Sequence, residues 1–156
     1  MEGLWFKEVE QGRRFVVKIA PGESVQRRLV EFAVAAGVKN AVIVSAVGSV
    51  RDVRFRGIKA GAKLPITPPR IHDHVAEGPL ELLGLTGNLF PDETGEIDCH
   101  LHVLGSKSSG EVLGGHLYEA SVFATCEIVV TEILGEGLER HHSKTGGVRT
   151  VFIDQP

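Results

Sequence analysis

The sequence predicts an α+β domain: a central, mostly antiparallel β-sheet with one main helix. Three observations lead there. Only Ser24–Ala36 carries a clear apolar stripe at the 3.6-residue period of a helix, while the other patterned stretches are β-branched or alternating runs. Those runs are joined mostly by short turns, which suits antiparallel neighbours, since parallel strands need long crossovers. Finally, 156 residues, 42% apolar and 24% charged, are enough for one packed domain and too few for two comfortable ones.

The elements follow in order. Arg14 to Ile19 reads as a strand turning at Pro21-Gly22. Ser24 caps the helix, because its side-chain oxygen can accept from a free N–H of the first turn. Val25, Leu29, Phe32, Ala33 and Ala36 form its apolar stripe, and Gly37 supplies the left-handed residue that ends it. Ala41 to Ala46 is a strand ended by Gly48, and Val50 to Ile58 a second strand. Gly57 to Pro69, broken by glycine and proline, is a loop. Arg70 to Val75 is an edge strand, and Leu80 to Leu89 an apolar run ending at Gly87-Asn88. A turn at Pro91 to Gly95, a strand over Ile97 to Leu104 and a loop at Ser106 to Gly110 come next. Ser121 to Leu134 is the longest strand candidate, with Val122, Ala124, Cys126, Ile128 and Val130 on one side. The domain therefore spans 1–134 with its core at 11–134. Residues 135–156 form a glycine-rich, charged tail, expected to be partly mobile, with a last short run at Val148 to Ile153.

Composition excludes several classes of function. Acids outnumber bases, 20 to 17, for a formal charge of −3, the wrong sign for a chain built to coat nucleic acid. Cys99 and Cys126 lack CxxC spacing and lie in apolar runs, so buried free thiols are expected. The start, Met1-Glu2-Gly3-Leu4-Trp5-Phe6-Lys7-Glu8, is no secretory leader, and no run approaches the ~20 apolar residues of a membrane span. A cytoplasmic location is the expectation. There is no phosphate-binding glycine loop, dinucleotide fingerprint or nucleophile elbow to name a reaction.

The chemistry lies in the histidines. In Asp98-Cys99-His100-Leu101-His102-Val103, the two imidazoles are two residues apart and share one face of a strand. Gly114-Gly115-His116 follows, its glycines allowing a tight backbone to bring in a third ring. Neutral imidazole suits zinc and other late first-row divalent ions, and three nitrogens with one open position is the catalytic type of zinc site. An exposed His-x-His pair also occurs in sheets that hold no metal. His72 and His74 form a second such pair with no third histidine near, read as a solvated strand edge, and His141 and His142 as exposed tail residues.

Together with Glu77-Gly78-Pro79-Leu80-Glu81-Leu82-Leu83, Leu85-Thr86-Gly87-Asn88 and Ala124-Thr125-Cys126-Glu127-Ile128, these motifs resemble the plant and prokaryote conserved (PPC) domain. Upstream, Arg14-Phe15-Val16-Val17, Pro21-Gly22-Glu23 and Ser45-Ala46-Val47-Gly48-Ser49 agree, so the resemblance runs from about Gln11 to Leu134. It implies the same α+β fold, a homotrimer, and a zinc site at His100, His102 and His116. In plants the domain occurs beside AT-hooks, minor-groove elements with Arg-Gly-Arg-Pro. Only Arg56-Gly57-Ile58 is present here, so DNA binding is disfavoured. The loop over 57–69 and the tail over 135–156 depart from the family pattern.

Three functions follow from this reading. The first is a metal-dependent trimer that binds or acts on a small molecule, with Glu119 and Glu127 as candidate proton acceptors and Asn88 as a candidate ligand-binding amide. The second is a DNA-binding or regulatory module, using Arg51, Arg54, Arg56, Lys59, Lys63 and Arg70 against Asp52. The third is a structural trimer whose metal only stabilises the fold.

Overall fold

Helix α1 (Val25–Ala36) forms where its stripe and caps predict it. Ser24 accepts from the Arg27 amide, and Gly37 closes the helix at φ 65°, its N–H bonded to Ala33 and Val34 carbonyls. Val25, Leu29 and Ala33 are buried against the sheet. The chain, here a computed structural model describing residues 3–153, otherwise consists of strands. Met1-Glu2 and the tail's last residues, 154–156, lie outside the described residues.

Strands β1 (Glu10–Ile19), β2 (Ala41–Ile58), β3 (Ile71–Ala76), β4 (Leu80–Pro91), β5 (Ile97–Ser106) and β6 (Val112–Leu134) form one sheet in the order β1-β6-β5-β4-β2-β3. Every pairing is antiparallel. Because β6 also pairs with β2, the strands β6-β5-β4-β2 close into a ring, with β1 and β3 outside it. The core inside comprises residues such as Val53, Phe55, Leu82, Leu101, Val103, Leu117 and Val122, continuous with the buried face of α1. Burial alternates along β5, with Leu101 and Val103 inside and His102 and Leu104 outside, as period-two strand geometry requires.

Two expectations are corrected and a third gains detail. The two strands anticipated on either side of Gly48 are one bent strand, β2. Gly48, at φ 144°, does not end the strand; it lets two backbones approach, since a Cβ there would collide with the Thr125 carbonyl oxygen. Similarly, β6 begins well before Ser121, and Gly114-Gly115-His116 lies within it. A Cβ at Gly114 would meet the Val103 carbonyl oxygen at 2.5 Å, so that glycine serves the β5–β6 contact. The tail is the third. It forms a hairpin of β7 (Leu138–His142) and β8 (Arg149–Ile153), because Leu138 and Arg140 alternate inward and are buried at 7% and 1% exposure.

Other expectations agree with the structure. Strand β3 is an edge strand paired only with β2, and His72 and His74 are exposed on it. Cys99 and Cys126 are free thiols, Cys126 buried and Cys99 half-buried rather than buried, and both are pushed up to about 11 chiefly by burial. Among the described residues no helix is long and apolar enough to cross a membrane.

Candidate metal centre

Register builds the centre. His102 on β5 stands opposite His116 on β6, and His100 lies two residues back on the same outward face of β5. The three rings converge, with centroids 5.0 to 5.3 Å apart, and their ligand nitrogens all lie within 4.8 Å of one another. The Nε2 atoms of His100 and His102 are 3.2 Å apart. Two nitrogens bound at zinc's usual 2.0–2.1 Å, at a tetrahedral angle, would be about 3.3 Å apart, so the donor set fits such an ion.

Burial and neighbouring charge favour the neutral form of two of the rings, His100 and His116. His100 is held down at about 4, by burial first and then by the charges of Arg140, His116 and His102, with Asp98 opposing. His116 is lowered too, by burial and then by His102, Arg56 and Arg140. At neutral pH their lone pairs are therefore available to a metal rather than spent on protons.

The surroundings include residues that sequence patterns did not point to. Asn88 on β4 stands opposite His100, and Arg140 reaches across from β7 to donate to the Asn88 Oδ1. The Arg140 guanidinium also lies over the Phe90 ring, with its Nε 3.8 Å from an Asp98 carboxylate oxygen. On the other flank, Arg56 lies 3.7 Å from the centroid of Tyr118, two residues past His116, and pairs with Asp73 at 2.9 Å. The alternation of Leu138 and Arg140 was the only sequence signal for this wall, and a buried arginine does not announce itself in a charged tail.

Of the candidate acids, Glu119 is exposed on β6 beside Arg54 of β2. Glu127 is exposed well along the same strand, between Lys18 and Val47. Neither joins the histidine cluster, whereas Asn88 does adjoin it. His72 and His74 stack on one another at 5.7 Å, and His74 stacks on Phe55, away from any third ligand.

The family model of the Plants and Prokaryotes Conserved (PCC) domain matches residues 6–134. The chain belongs to this family. Its PCC fold is similar to that of a metal-containing protein from Archaeoglobus fulgidus, at 32% identity and TM-score 0.82, over 96% of this chain and 99% of that one. A plant- and prokaryote-conserved protein from Pyrococcus horikoshii is also similar, at 25% identity and TM-score 0.81, over 98% and 99% of the two chains. The bifunctional protein GlmU of Synechococcus sp. (strain JA-3-3Ab) is 26% identical over 144 residues, 92% of this chain. The PCC chain spans only 21% of that protein's length.

Proposed function

We propose that this PCC-domain chain is a metal-binding module in which His100, His102 and His116 hold a divalent transition ion, zinc first, with a coordination position left open to a small molecule. The observation that carries this is the convergence of three imidazoles, with two Nε2 atoms at the spacing of a tetrahedral ion's ligands. The metal-containing relative from Archaeoglobus fulgidus supports it. A bound ion would lower the pKa of a coordinated water or polarise a carbonyl or phosphoryl oxygen. His102 is exposed, so the face carrying the ion is open to solvent.

The DNA-binding reading is weakened by what its basic residues do. Arg56 is paired with Asp73, and both Arg54 and Arg56 lie over Tyr118, leaving less free charge for phosphates. The working unit we infer is a homotrimer. Val16 and Val129 pair across β1 and β6, and Val44 and Val47 are exposed on the adjoining β2, an apolar surface suited to a second copy.

Metal analysis tests the centre. Protein purified without chelators and reconstituted with zinc should hold one ion per chain, and His100→Ala, His102→Ala and His116→Ala should each lose most of it. Wild-type stoichiometry near zero would sink the proposal. Chelation should lower the melting temperature, because an ion at 100 times its Kd adds about 2.7 kcal/mol to the folded state. A thermal-shift screen on metal-loaded protein separates a ligand-binding centre, in which small molecules raise the melting temperature, from a purely stabilising one, in which none does.

A further inference from the structure

The pair Asn88–Arg140 implies what that open position binds. We propose that the histidine centre takes a small oxyanion, with the Asn88 amide nitrogen as its hydrogen-bond donor and Arg140 as the residue that orients Asn88. This rests on the metal reading above and names its ligand class.

The argument begins with which end of the amide is free. An arginine has only donors, so the Asn88 atom facing Arg140 must be Oδ1. The opposite end is then an NH₂ group, and no described residue accepts from it. Asn88 is directly opposite His100, and such residues on neighbouring antiparallel strands have Cβ atoms about 4.5–5.5 Å apart, so the amide side chain leaves the sheet on the same face as the His100 ring. Arg140 itself is 1% exposed, and its Nε is buried without a hydrogen-bond partner, Asp98 being too far at 3.8 Å. Such a fixed, buried cation orients the amide and adds positive potential.

Charge decides the sign of the ligand. Around the three rings, Arg140 and Arg56 are offset by Asp98 and Asp73, and Arg149 by Asp92 at 3.4 Å and Asp98 at 3.5 Å, so the protein charges nearly balance before any ion is counted. A divalent ion on three neutral imidazoles leaves the centre clearly positive. With donors and a cation presented and the Asn88 acceptor already engaged, the fitting ligand brings two or more oxygens and negative charge. One oxygen would sit on the ion and a second on Asn88 Nδ2. Carboxylates and phosphates share this chemistry.

Cobalt(II) substitution tests it without any assumed reaction. Cobalt-loaded wild type should show visible d–d bands that shift saturably when acetate or inorganic phosphate is titrated in separately. The tighter of the two assigns the class. Asn88→Ala and Asn88→Asp should keep full cobalt stoichiometry while weakening the anion about tenfold or more, the value of one hydrogen bond to a charged group. Arg140→Lys, which keeps the charge but loses the fork, should also weaken the anion at unchanged cobalt content. If that variant does not fold, the two Asn88 variants decide the matter. Bands that ignore both anions, or Asn88 variants that bind as tightly as wild type, overturn the oxyanion proposal and leave the metal reading intact. No cobalt band at all would overturn the metal reading and this proposal with it.

Discussion

Glu132 shows how much one side chain can carry away from the centre. It is 7% exposed on β6, and Arg13 grips it three times: the backbone N–H at 3.1 Å, Nε at 2.8 Å and a terminal nitrogen at 2.8 Å. Gly12 leaves room for this, since a Cβ there would fall 2.8 Å from a Glu132 carboxylate oxygen. The side-chain bonds to Arg13 hold the carboxyl at about 2, below its ordinary 4.5. A depressed carboxyl stabilises the fold fully above its unfolded pKa and loses that contribution as pH falls through the folded one. Wild type should therefore lose stability between about pH 4.5 and pH 2. Glu132→Gln should cost about 1–3 kcal/mol at neutral pH and flatten that acid limb, as measured by urea unfolding across pH. An unchanged acid limb would assign the loss to other carboxylates.

At the scale of elements, the closeness of β4 and β5 is what places the histidines. Gly87 has φ 140°, and a Cβ there would collide with the His100 carbonyl oxygen. Gly87→Ala should therefore push the two strands apart at the residue that holds the first ligand. The expected result is a loss of more than about 2 kcal/mol in stability, together with zinc stoichiometry well below one. Normal metal content at reduced stability would show that the centre tolerates the displacement. Helix α1 answers differently, because it packs on the core and takes no part in the centre. Leu29→Ala, at a fully buried position, should cost about 2–5 kcal/mol in urea unfolding while the folded fraction keeps its ion.

For the whole molecule, the exposed valines of β1 and β2 make assembly the expected state. Sedimentation equilibrium should give about 50 kDa for a trimer of 16.8 kDa chains. The double variant Val16→Asp, Val47→Asp should shift the mass toward that of one chain, since a charge in an apolar contact costs far more than one in water. A monomeric wild type at micromolar concentration would remove the trimer from the functional reading. The β7–β8 hairpin matters at this scale as well. It ties the tail to β4 through Arg140 and Asn88, so a segment beyond residues 6–134, which the family model matches, forms one wall of the centre.

The sequence by itself determined those features whose cause is local. Helix α1 was legible with both its caps, because a serine acceptor, a 3.6-residue stripe and a glycine act within one stretch of chain. The shared face of His100 and His102 was legible for the same reason, as strand period two needs no partner strand. Only the tertiary structure decided what stands across from what. Gly48 looked like the end of a strand, yet it is a place where two backbones touch, as Gly114 is. Glu119 and Glu127 looked like acids for the centre, but β6 carries them away from it. Arg140, in a stretch read only as a charged tail, is buried and donates to Asn88, the residue opposite His100. Register and ring closure are set by contacts between distant segments, and a single chain's local pattern holds no record of which segments those are.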